Sequence, residues 1–246
     1  MSNPHSLDQN GERQDMRKEV KVAIIDNSIN PSVYTPVAHW TAFLEGEWQA
    51  FTAREHHFPN LDEEFTHLIL TGSEASILER EQWVHEEIEL TLEAVEKKIP
   101  VLGSCWGHQL LAIAFAGPAH VQRSDCPEIG WIPVGITEED TLLGKKGQEF
   151  VFSSHFDEVV GLGDDFVVFA SSEKCQVHAF QWRTNPVWGI QSHPEMSIQA
   201  AQHYLWENVS SNHESCSLFR SALNSTPRDT GMIHAVIRNF LDYSKS

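Results

Sequence analysis

Residues 101–115 read VLGSCWGHQLLAIAF, and this stretch decides the fold. Val101 and Leu102 open a short apolar strand, residues 103–107 form a tight turn, and residues 109–115 continue as an apolar helix that ends near Gly117-Pro118. A strand turning directly into a helix with a cysteine at the apex is a nucleophile elbow. Gly103 and Gly107 remove the Cβ atoms that would collide in so sharp a turn. Cys105 then stands at a helix N-terminus, where backbone N–H groups and the helix dipole favour a thiolate. Free cysteines are otherwise among the most buried residues, and it is the flanking glycines that favour the nucleophile here.

Outward from the elbow, residues 20–26 (VKVAIID) and 67–71 (HLILT) are short apolar runs that end in Asp-Asn-Ser and in Gly72. Such runs read as parallel strands buried on both faces. Residues 79–98 carry Trp83, Val84, Ile88, Leu92 and Val95 near helical spacing, and Pro100 stops that helix. From Trp131 the segments WIPVGI, FVFSSHF, DFVVFAS, VHAFQW and VWGIQSH read as closely spaced strands, with turns at residues 161–164 and 184–186. Residues 199–206 and 232–243 read as helices, and residues 208–230 as a long loop. The succession predicts an α/β fold, an open and mostly parallel twisted sheet with helices on both faces. Residues 20–246 are expected to form a single domain behind a polar tail at residues 1–19. Sheets of this kind carry their sites at the carboxyl ends of strands.

The bulk composition narrows the partners. Among 246 residues, 35 acidic against 17 basic side chains give a net charge of −18, which repels nucleic acid and anionic membranes. No apolar stretch approaches the ~20 residues that span a bilayer, and the N-terminus has no signal-peptide pattern, so a cytoplasmic location is expected. Cys105, Cys126, Cys175 and Cys216 are far apart and read as reduced thiols. His56-His57 and His85 lack ligand spacing, and no metal or organic cofactor is expected.

Two further segments fall at strand ends. Residues 191–195 read QSHPE; His193 and Glu195 are two apart, so on an extended chain their side chains point the same way and the carboxylate can orient the imidazole toward a thiol. Residues 70–74 read LTGSE, where Gly72 or Ser73 could offer a backbone N–H to a developing oxyanion, with a second from Trp106. A plain Gly-Ser turn is the competing reading of that loop.

The elbow G-x-C-x-G-H-Q, the later H-P-E and the preceding glycine loop together resemble the class I glutamine amidotransferases, over residues 20 to about 206. Residues 128–131 (EIGW) and 154–159 (SHFDEV) resemble the stand-alone relatives of the amidotransferase domain of GMP synthase. The resemblance implies a flavodoxin-like fold and a catalytic Cys105, His193 and Glu195. It also implies that Gln109, Ser154, His155 and Phe156 hold the α-amino and α-carboxylate groups of glutamine. Ser154 to Phe156 could equally be a mere strand end. Where many relatives have Gly-Gly-Pro in the oxyanion loop, this chain has Gly72-Ser73-Glu74, and Trp106 is bulkier than the usual residue, narrowing the pocket or meeting a partner. The residues from Glu195 to Ser246 are too few for a synthase domain, so an acceptor is expected to be a separate protein. Three functions therefore stand: a glutaminase feeding ammonia to a separate synthase partner, a stand-alone hydrolase or transferase of γ-glutamyl peptides or amines, and a non-catalytic binding protein that keeps the fold.

Overall fold

The computed structural model describes residues 19–63, 65–79, 82–139, 141–183, 185–210 and 216–243; all but Glu19 of the polar tail, and Thr184 in the turn at residues 184–186, lie outside them. The apolar runs become strands because both their faces are covered. In β1 (Lys21–Asp26), Ala23 and Ile25 point into one core cluster while Val22 and Ile24 point into another. Alternation along a strand sends successive side chains to opposite faces, so a strand buried on both sides is apolar along its centre. Leu68 and Leu70 against Ile69 in β3 (His67–Leu70), and Val101 against Leu102 in β4 (Val101–Ser104), divide the same way.

The first cluster is closed by α2 (Val84–Glu96) and α3 (Trp106–Ala116), the second by α1 (Pro36–Thr41) and α6 (Met232–Leu241), so helices cover both faces. Among the described residues, one nine-stranded sheet has the order β2-β1-β3-β4-β9-β8-β7-β5-β6. Here β2 is Glu47–Thr52, β5 Val121–Ile136, β6 Gly147–Val159, β7 Phe166–Ser171, β8 Ala179–Trp182 and β9 Val187–Ile190. The half from β2 to β9 is paired in parallel, and the remaining pairings are antiparallel. β7 and β6 thereby regain the direction of β9, and only β8 and β5 run against the rest. The strand order reverses between β2 and β3 around β1, and the carboxyl ends of β1, β3, β4 and β9 converge beside this switch point, as open sheets place their sites.

Several boundaries depart from the sequence reading. β2 and α1 had no signal, because β2 is a largely exposed edge strand without an apolar run and α1 is a six-residue helix started by Pro36. The helix expected at residues 79–98 begins at Val84, after a 3₁₀ turn at Ile77–Glu79. The long loop expected at residues 208–230 holds α5 (Cys216–Leu223), which buries Phe219 and Ala222 against α4 (Ile198–Ser210) in a third cluster with Leu205 and Phe152. β5 starts at Val121, ten residues before the predicted strand, and Ser154 to Phe156 lie inside β6, not at a strand end.

Candidate active site

Cys105 links β4 to α3 with φ 47° and ψ −103°, a backbone state that an L-residue reaches at a cost of about 1–3 kcal/mol and that surrounding structure must enforce. Its N–H donates to the Ile190 carbonyl at 2.8 Å, and its carbonyl accepts from Gln109 N–H at 3.1 Å. The two glycines serve close packing. A Cβ on Gly103 would sit 2.5 Å from the Gly107 carbonyl carbon and oxygen, and one on Gly107 would sit 2.4 Å from the Leu70 carbonyl oxygen. Neither approach tolerates a side chain, so the elbow is pressed between β3 and its own helix. The Cys105 Sγ faces the Ser154 carbonyl at 3.7 Å.

His193 follows β9 and is held by its N–H to the Phe152 carbonyl at 2.8 Å. Its Nδ1 lies 2.9 Å from Glu195 Oε1; a carboxylate only accepts, so Nδ1 carries the proton and the other ring nitrogen is free for the thiol. Burial alone would push the imidazole down, but the charges of Cys105 and Glu195, and hydrogen bonds to both, raise it to about 10. The cationic form of the imidazole is thus favoured. Gly72 marks the meeting point: a Cβ there would stand 2.6 Å from His193 Cε1 and 3.4 Å from Cys105 Cβ.

Tyr34, which the sequence reading missed, completes this cluster. Its hydroxyl donates to Glu195 Oε1 at 3.0 Å and lies 3.2 Å from His193 Nδ1, while its ring meets the imidazole edge-on with centroids 5.5 Å apart. Burial and the nearby charges of Glu195 and Cys105 hold the phenol well above its usual range, so it stays a donor. No periodicity marks residue 34; the one clue is that the loop after β1 must open toward the switch point.

The glycine loop at the end of β3 also carries an unread device. Glu74 accepts the N–H groups of Ile29 and Asn30, each at 3.1 Å, and so clamps the loop that delivers Tyr34. Burial raises the Glu74 carboxyl, against the pull of those backbone donors. Ser73 is not among the residues with positive φ, so the lost glycine at this position costs no backbone strain. Trp106 is buried in the first core cluster, and its bulk is turned inward instead of offered to a partner.

An open cleft of about 550 Å³ leads to Cys105, bordered by Ser73, Gln109, Ser154 and Phe156. Gln109 spends its amide N–H groups on the Asp157 carbonyl (2.8 Å) and Gln191 Oε1 (3.2 Å). The Ser154 hydroxyl donates to Tyr204 at 3.4 Å. The His155 side chain turns away from the cleft, toward Glu128 and the Asp157 carbonyl. Phe156 packs on Phe219 and lies under the Arg123 guanidinium, which pairs with Asp157 at 3.0 Å. Arg123 and Tyr204 had no sequence signal, whereas Asp157 sits within the SHFDEV stretch.

The open α/β sheet thus gathers a cysteine elbow, a histidine and a carboxylate at the carboxyl ends of its parallel strands, and its fold is that of the class I glutamine amidotransferases. The model of the class I glutamine amidotransferase family matches residues 14–211, and the chain belongs to that family. The glutamine-hydrolysing GMP synthase subunit of Methanocaldococcus jannaschii is 38% identical over 105 residues, which are 42% of this chain and 55% of that one. The corresponding Methanococcoides burtonii protein is 36% identical over 138 residues, 56% of this chain and 68% of that one. For the first of these, the match spans about half the length of the relative. A glutamine amidotransferase from Thermotoga maritima has the same fold, with TM-score 0.71 at 19% identity over 92% of this chain and all of that one. A protein from Thermoplasma acidophilum, described as a putative subunit of GMP synthase, superposes with TM-score 0.63 at 22% identity, covering 85% of this chain and all of that one. No helix among the described residues is long and apolar enough to cross a membrane.

Proposed function

We propose that the protein hydrolyses the side-chain amide of glutamine through a covalent γ-glutamyl thioester on Cys105 and passes the ammonia to a separate synthase subunit. The Cys105 thiolate attacks the amide carbon, and backbone N–H groups of Gly72 or Ser73 and of Trp106 receive the oxyanion. His193, oriented by Glu195, gives its proton to the departing nitrogen, which leaves as ammonia. Water, deprotonated by the now neutral His193, then opens the thioester to glutamate and restores the thiolate. Gln109, Ser154, His155 and Phe156 line the end of the cleft where the α-groups of glutamine would sit; Gln109 and His155 act by holding β6 in place, since their side chains are engaged within the protein. The observation that carries the reading is the elbow at Cys105 beside a His193–Glu195 pair 2.9 Å apart.

The separate acceptor is suggested by relatives named as one subunit of a GMP synthase. A second reading, hydrolysis of a larger γ-glutamyl peptide or amine, is favoured by the cleft, whose size lies within the range that holds drug-sized ligands. Glutamate release from glutamine and from a panel of γ-glutamyl peptides, by the native chain and by Cys105→Ala, tests both. Activity on glutamine that is lost in the variant and rises with a synthase partner supports the first; full activity on a peptide alone supports the second. No turnover of any of them, with or without a partner, overturns both.

A further inference from the structure

Behind the cleft, three buried side chains from different strands point their donor atoms at one place. Glu128 on β5 and His155 on β6 face each other as cross-strand partners, and His178 precedes β8. Their side chains are only 3%, 1% and 1% exposed. His155 Nε2 lies 3.2 Å and His178 Nε2 3.4 Å from Glu128 Oε2, and the three ligand atoms all fall within 4.8 Å of one another.

Protons do not account for this arrangement well. A charge-assisted N–H···O⁻ bond in a buried pair closes to about 2.7–2.9 Å, as His193 and Glu195 do at 2.9 Å in the same molecule. The Glu128 contacts are longer. His155 Nδ1 faces the Asp157 carbonyl at 3.0 Å; a carbonyl only accepts, so Nδ1 carries that ring's proton and a neutral ring turns the Nε2 lone pair to the carboxylate. His178 Nε2 has no partner in hydrogen-bond geometry among the described residues.

A cation between them resolves both facts. Tetrahedral zinc with bonds of about 2.0–2.1 Å separates its ligand atoms by about 3.3 Å, which is the spacing found to Glu128. The supporting contacts are also those of a metal site. His155 donates its distal N–H to a backbone carbonyl, and Glu128 Oε1 accepts the Ser172 hydroxyl at 2.6 Å, fixing the carboxylate.

We propose that Glu128, His155 and His178 bind one zinc ion that ties β5, β6 and the start of β8 together behind the cleft. The ion holds structure and takes no part in the reaction at Cys105; its reach to that site is mechanical, through Ser154, the neighbour of His155, whose carbonyl touches the thiol. The donor set of two imidazoles and one carboxylate suits zinc among the common divalent ions.

The test uses the untagged full chain, stripped with chelator, reconstituted with Zn²⁺ and desalted. Metal analysis is expected to give about one zinc per chain, and Co²⁺ in its place to give the visible bands of a tetrahedral site. His178→Gln and Glu128→Gln lose the ion, while His203→Ala, at an exposed histidine of α4, keeps it. On the native chain, chelation lowers Tm by roughly 5 °C and zinc restores it. This last arm decides the matter even if the variants fail to fold. Substoichiometric zinc with a Tm indifferent to chelator, or zinc retained in a folded His178→Gln, overturns the proposal.

Discussion

Replacing Gly72 by alanine strikes the point where the site's groups converge. The new Cβ would lie 2.6 Å from His193 Cε1 and 3.0 Å from the Tyr34 hydroxyl. Carbon atoms settle at about 3.5 Å or more, so the imidazole must retreat by close to 1 Å. The ring cannot swing away freely, because Glu195 and the Phe152 carbonyl fix its side chain and backbone. A displacement of about 1 Å in a reacting group costs on the order of 10²-fold in rate, about 2.7 kcal/mol in the barrier. Steady-state glutamate release should therefore show kcat for Gly72→Ala lowered by about two orders of magnitude, with KM changed little, since ground-state contacts are spared. A variant within about threefold of native kcat, with its fold intact by circular dichroism, would refute the placement of Gly72, His193 and Cys105 at one reacting centre.

Tyr34→Phe removes one donor from Glu195, whose Oε2 has no partner among the described residues, and is expected to lower kcat about tenfold by loosening the imidazole; unchanged kcat with unchanged pH dependence would deny it a positioning role. Glu87 is buried with its carboxyl pushed up to about 8, and it accepts the Asn27 amide N–H at 3.0 Å. A raised carboxyl favours folding fully below the unfolded value of about 4.5, and that benefit is lost as pH rises toward 8. Glu87→Gln should thus stabilise the fold by up to roughly 3 kcal/mol at pH 7 and by almost nothing at pH 4, measured by urea titration at the two pH values. Gly107→Ala drives a Cβ to 2.4 Å from the Leu70 carbonyl and should lower Tm by about 10 °C or more in a thermal melt.

How much of this was legible in sequence follows from burial. The strands buried on both faces, β1, β3 and β4, announce themselves by runs of apolar residues with polar ones only at their ends, and the elbow announces itself because two close approaches require glycine. The QSHPE segment is local, so its two functional side chains can be read together. Tyr34 and Glu74 are remote from Cys105 and His193 in sequence and are placed by loop geometry that no periodicity encodes. Glu128, His155 and His178 are likewise joined only by strand register, which appears once β5, β6 and β8 are laid side by side. β2 and α5 were invisible for a further reason: an exposed edge and a short helix bury too little to leave a pattern.

The central claim is that Cys105 is a thiolate nucleophile activated by His193. Its most direct measurement is the mass and labelling rate of the full chain with a glutamine-mimicking electrophile. A single adduct on Cys105, formed far faster than at Cys126, Cys175 or Cys216 and suppressed in His193→Ala, is the result predicted. Labelling spread among the four cysteines, or a Cys105 rate untouched by the loss of His193, would contradict it.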